Sequence, residues 1–249
     1  MAKRAGRGAI MQCILDVALL VSPGPKVRSK GDGILIMFGD SMFFYHPSSF
    51  LTKFLGRYWV HKSAADMVHD ALPGRVIQVS SSYLQVSSSC KRYLTTTLET
   101  ILLLNPDIEV HVLVLSGQTD ADNASRSSTR NSQDTRDEFR AFVKWSIQDM
   151  TTTMAVFPQV VIHWIEPFDD SSAVFTPLYD NLVDDLKEIV RNQGHMVKFG
   201  PFVSFEADHY HLSESERQKF ATQILDWFAG PIPCGQRSAP DVWWKFSAR

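Results

Sequence analysis

Cysteine, charge imbalance and long apolar runs are all scarce in this chain, and each scarcity removes a class of function. Its three cysteines, Cys13, Cys90 and Cys234, are odd in number and far apart. Neither a disulfide framework nor a cysteine-based zinc motif is expected from them, and idle thiols are the plainer reading. The formal net charge of -2 gives no electrostatic reason to expect nucleic acid or an anionic membrane as partner. Lys26, Arg28 and Lys30 are too few to make a basic groove. The apolar stretch 9–21 is too short to span a bilayer and is interrupted by Gln12 and Asp16. No transmembrane segment is therefore expected.

Lys3, Arg4 and Arg7 precede that stretch much as the basic region of a signal peptide would. The interrupting carboxylate favours a short leading helix or a disordered tail and a cytoplasmic location, with secretion or organelle targeting as the alternative. With 249 residues, 44% of them hydrophobic and 21% charged, the chain has the composition of one globular domain with a substantial core. We expect tails over residues 1–30 and 231–249, flanking a domain over 31–230.

After the Pro23-Gly24-Pro25 break, strand and helix patterns alternate. Continuous apolar runs at 34–38, 76–79, 110–115, 160–165 and 196–199 suit strands of a parallel sheet covered on both faces. Between them, residues 90–104, 136–150 and 177–192 read as helices. In the last of these Leu178, Leu182, Leu186 and Val190 form one stripe, with Pro177 suited to the first helical position and Gly194 to the exit. A final helix is expected from a capping box at Ser213 and Glu216, burying Phe220, Ile224, Trp227 and Phe228. Five strands alternating with helices predict an α/β fold, a three-layer α/β/α sandwich around a five-stranded parallel sheet. Such sheets bind ligands beyond the carboxyl ends of their strands.

Gly39-Asp40-Ser41 stands at such an end, where a strand-to-helix turn would expose the Ser41 hydroxyl. The same tripeptide also reads as an ordinary turn or helix cap. Asp208-His209-Tyr210-His211, just before the last helix, supplies a base and a carboxylate three residues apart. A carboxylate at that spacing can hold one imidazole nitrogen while the other takes a serine proton. The segment reads alternatively as a solvated polar loop. A zinc site built on Asp208, His209 and His211 lacks a supporting cysteine or HExxH motif, so no metal or organic cofactor is expected.

Phe38-Gly39-Asp40-Ser41 and Asp208-His209-Tyr210-His211-Leu212-Ser213 together resemble the first and last motif blocks of the SGNH/GDSL hydrolases, over residues 34–229. The resemblance implies a flavodoxin-like sandwich, with Ser41 as nucleophile, His211 as base and Asp208 as its orienting partner. It also implies an oxyanion hole formed by the Ser41 N–H, a glycine N–H from block II and an asparagine from a Gly-x-Asn-Asp block III. Here the third block reads Gly117-Gln118-Thr119-Asp120, with Thr119 where asparagine is expected and Gln118 or Asn123 as alternative donors. The second, Val79-Ser80-Ser81-Ser82-Tyr83, has no glycine, and Ser82 is nominated for its N–H. Gly117, Thr119, Ser82 and Asp40 form the expected oxyanion and substrate-binding set.

The resemblance implies hydrolysis of a carboxylic ester, an acetylated carbohydrate, a lipid ester or a thioester, through an acyl-enzyme. The same triad would serve acyl transfer to an alcohol. The rival reading is a binding module on the same sandwich, its altered middle blocks turned to a protein or nucleic acid. His163 suits the core better than a ligand set, and Glu166-Pro167-Phe168 is expected to border the site. Phe43, Phe44, Tyr45 and Trp59 suit either a pocket or the core. Residues 122–136 read as a polar loop or lid, with a glycosylation sequon at Asn123-Ala124-Ser125 that matters only after secretion.

Overall fold

The computed structural model describes residues 14–16, 33–44, 62–81, 84, 88–127, 131–168, 176–206 and 210–230. Cys13, Cys234, Tyr45, Trp59, Ser82, Asp208 and His209 lie outside them. The strands are β1 (Ile14–Asp16), β2 (Ile34–Gly39), β3 (Val76–Ser80), β4 (Val110–Leu115), β5 (Val160–Ile165) and β6 (Met196–Val197). The helices are α1 (Ser41–Phe44), α2 (Ala64–Ala71), α3 (Ser88–Leu104), α4 (Gln118–Ser127), α5 (Ser132–Met154), α6 (Pro177–Arg191) and α7 (Glu214–Ala229).

The sheet order is β1-β3-β2-β4-β5-β6, with β2 to β6 parallel throughout. Counted among themselves, the five parallel strands run 2-1-3-4-5, the flavodoxin-like order. The five expected strands are all present. The added β1 pairs antiparallel with β3, Leu15 opposite Val79, where a short helix or tail was expected. Three residues carry no readable period, and their pairing is with a segment some sixty residues on.

Strand alternation sorts the core into two layers. Ile34, Ile36 and Phe38 of β2 join Val110, Val112 and Val114 of β4 beneath α3, α5 and α6. Leu35 and Met37 join Leu113, Leu115 and Ile165 beneath α2 and α7. The α6 stripe is as expected, with Thr176 as N-cap and Pro177 at the first position. Leu182, Leu186 and Val190 are buried along it.

Two local expectations fail for identifiable reasons. Residues 122–127 and 132–136 are helical where a loop was expected, with polar side chains that also pair locally. Arg126 bonds Asp122 at 2.6 Å one turn away, and Asn131 caps α5 by accepting from the Asp134 N–H at 2.8 Å. The Ser213 capping box does not form, since the Glu216 carboxylate accepts from the Val203 N–H at 3.3 Å. A capping box appears instead at Ser63 and Asp66, starting α2. Among the described residues no helix is long and apolar enough to cross a membrane.

Candidate active site

Gly39 ends β2 where nothing larger fits. A Cβ there would stand 2.0 Å from the Leu115 carbonyl oxygen and 2.8 Å from the Phe43 ring. That closeness lets the Asp40 N–H reach the Leu115 carbonyl at 3.2 Å, locking the turn to the end of β4. Ser41 follows as the first residue of α1, partly exposed at the carboxyl end of the sheet. Met42 and Phe43 anchor that short helix in the core.

His211 arrives from the other end of the chain on a small hairpin. Phe205 and Leu212 form an antiparallel bridge, the Glu206 N–H donates to the His211 carbonyl at 2.7 Å, and the Ser213 N–H donates to the Ser204 carbonyl at 3.0 Å. This brings His211 Nε2 to 2.9 Å from Ser41 Oγ, across 170 positions of sequence. The serine hydroxyl and the imidazole are thus within proton-transfer distance.

Asp40 is buried beneath the turn that carries Ser41. Its Oδ1 accepts from the Met42 N–H at 3.0 Å, and its Oδ2 accepts from the Thr119 hydroxyl at 3.3 Å. Thr119 in turn lies 3.5 Å from the Tyr210 phenol oxygen. Burial pushes the Asp40 carboxyl up to about 6 from its ordinary 3.8, against the lowering effect of the Met42 N–H. Burial likewise pushes Asp120 up to about 7, with the nearby Asp40 charge adding to it, although Asp120 accepts from the Leu84 N–H at 2.8 Å. That bond ties the chain just after the block II position to the first turn of α4.

Gly117, at φ 109°, is required by the turn and by packing, since a Cβ would press on Leu186 at 3.0 Å. Gln118 is buried, with its amide donating to the Phe168 carbonyl at 3.3 Å. Asn123 lies on α4, its carbonyl accepting from the Ser127 hydroxyl at 2.7 Å. The carboxylate of Glu166 is held by Arg191 at 2.6 Å and Lys198 at 3.4 Å, and Phe168 packs into the core against Phe202 and Phe220. Both therefore serve structure. Phe43 is core, stacked on Phe220.

His163 is in the core as well, but it has a partner that sequence reading missed. Its Nε2 lies 2.9 Å from His111 Nδ1, with Trp227 and Phe228 packed around the two rings. Among the described residues no group of three or more His, Cys, Asp or Glu could hold a metal ion. Sequence reading also missed that Tyr210 stands beside Thr119 and that Asp120 ties down the Leu84 N–H, though both residues stand inside the quoted motif blocks.

No family model matches the chain, and no curated protein matches it. Among solved structures it is similar to the aryl esterase of M. smegmatis, at 14% identity and TM-score 0.47, covering 78% of this chain and 97% of that one. It is similar also to Est24, a carbohydrate acetylesterase from Sinorhizobium meliloti, at 14% identity and TM-score 0.45, covering 79% and 98%. A lipase/acylhydrolase from Enterococcus faecalis matches at 15% identity and TM-score 0.40, covering 80% and 96%. At such scores the fold rests on the strand order and the site on its own geometry.

Proposed function

We propose that this chain is a serine hydrolase of the SGNH type that cleaves a carboxylic ester through an acyl-enzyme. The observation that carries the reading is the 2.9 Å approach of Ser41 Oγ and His211 Nε2 at the carboxyl end of the sheet. In the reaction Ser41 Oγ attacks the ester carbonyl carbon while His211 Nε2 takes the hydroxyl proton. The carbon–oxygen bond to the alcohol then breaks, and His211 returns the proton to the departing oxygen. Water, deprotonated by His211, releases the acid in the second half. Asp208 is the proposed partner of His211 Nδ1, holding the ring in the tautomer this exchange needs.

The oxyanion is assigned to the N–H of Ser41 and an N–H from the Ser82 segment, with Thr119 as the third contact. A hydroxyl has one hydrogen, and that of Thr119 is directed to Asp40. The hole is therefore expected to be a weak one. The same observation supports the second reading, a module on the same sandwich that binds a protein or nucleic acid and turns nothing over.

Hydrolysis of p-nitrophenyl acetate separates the two. The hydrolase reading predicts a burst of about one p-nitrophenol per chain followed by slower turnover, absent in Ser41→Ala. A wild type that hydrolyses no faster than Ser41→Ala favours the binding module.

A further inference from the structure

Arg217 is 1% exposed, among the most buried large side chains of the molecule, and it sits in the first turn of an otherwise amphipathic helix. A buried guanidinium is costly unless its hydrogens find acceptors, and well-packed apolar residues often replace such a group without loss. What its acceptors do therefore matters more than its burial. Arg217 Nη1 donates to the Glu206 carboxylate at 2.6 Å and to the Leu212 carbonyl at 2.5 Å. Glu206 and Leu212 stand on opposite arms of the hairpin that carries His211. The Glu206 N–H closes on the His211 carbonyl itself, and Leu212 is its direct neighbour in the chain. The adjacent Glu216 holds the entering arm at the Val203 N–H. One turn of α7, buried through Phe220 and Ile224, thus grips both arms.

We propose that Arg217 is a positioning residue that fixes the His211 hairpin so that Nε2 stays on Ser41. The inference rests on the hydrolase reading for its consequence in rate, but the clamp itself is a statement about the hairpin. Arg217→Met removes both bonds while keeping an apolar stem of similar length. Arg217→Lys keeps a positive nitrogen whose hydrogens can serve both acceptors, because in the wild type a single nitrogen serves them. Glu206→Gln keeps Arg217 and weakens one arm.

The experiment pairs hydrogen exchange of the amides of residues 204–213 with inactivation by a fluorophosphonate probe in the full chain. In Arg217→Met the Glu206 and Ser213 amides are expected to lose protection while those of β2 and β4 keep theirs. Its maximal inactivation rate is expected to fall about 10- to 100-fold, with the half-saturating probe concentration within about twofold, as for a misplaced base. Arg217→Lys should recover at least about a tenth of the wild-type rate, and Glu206→Gln should fall between the two. If Arg217→Met does not fold, Glu206→Gln and Arg217→Lys carry the same comparison. Unchanged protection of residues 204–213 in a folded Arg217→Met or in Glu206→Gln overturns the clamp. A wild type that the probe leaves unlabelled overturns the hydrolase reading instead, and the exchange data alone then decide the clamp.

Discussion

Among the described residues, two side-chain pairs stand at the same 2.9 Å separation, Ser41 with His211 and His111 with His163. The first stands where the carboxyl ends of the strands meet solvent, on a tight turn and a hairpin, and both members are partly exposed. The second lies within β4 and β5, 3% and 7% exposed, walled by Trp227 and Phe228. A short hydrogen bond is common to both, so distance does not distinguish a reactive pair from a structural one. Access does, since of these two pairs the first is open to solvent, on the turn that begins α1, and the second is enclosed.

The sharpest way to break that contrast is to delete each member of the first pair in turn. Ser41→Ala and His211→Ala should each lower esterase activity by at least about 10³-fold, measured as initial rates on p-nitrophenyl acetate, since the members of such a unit act together. Equal activity in either variant would put the chemistry elsewhere.

Next in size is the carboxyl pair beneath the site. Asp40 and Asp120 are pushed up to about 6 and about 7 from an ordinary 3.8. The folded chain therefore keeps protons that the unfolded chain releases above pH 4. Stability from these groups is greatest below the unfolded value and declines as pH rises, until both are ionised above about 7. Raising one carboxyl from 3.8 to about 6 or about 7 corresponds to about 3 to 4 kcal/mol. Thermal unfolding of Asp120→Asn should lose much of the decline expected of the wild type between about pH 4 and 8. An identical slope in both proteins would remove Asp120 from the account.

Smaller again is the effect at Thr119. Thr119→Asn supplies an amide with two hydrogens, one for Asp40 and one for the oxyanion, and should raise the esterase rate about tenfold. A fall would mean that the threonine is needed as it stands. Smallest in its effect on rate is His163→Leu. It removes the His111–His163 bond and should cost about 1 to 3 kcal/mol in denaturant unfolding while changing the esterase rate by less than about twofold. A large loss of rate there would erase the distinction between the two pairs.

How much of this was readable in advance depends on range. The parallel strands were legible because apolar runs such as Val110–Leu115 are continuous and end at turn residues. Ser41 and His211 were legible because each sits in a motif at a predictable end of an element. Helix α4 and the start of α5 were not, because their stability comes from the Asn131 cap and the Asp122–Arg126 pair, with little apolar stripe to read. Arg217 was not either. A charged residue in a helix's first turn reads as solvated, and only the fold places the hairpin's carbonyl and carboxylate over it. The tie from Asp120 to the Leu84 N–H spans 36 positions and leaves no local trace.

The central claim is that His211 activates Ser41. Its most direct test is intact-mass and peptide mapping of the wild type after exposure to a fluorophosphonate, with His211→Ala beside it. The account predicts one adduct per wild-type chain, on the peptide holding Ser41, and at most trace labelling of His211→Ala. Labelling at another residue, or equal labelling of both proteins, would contradict it.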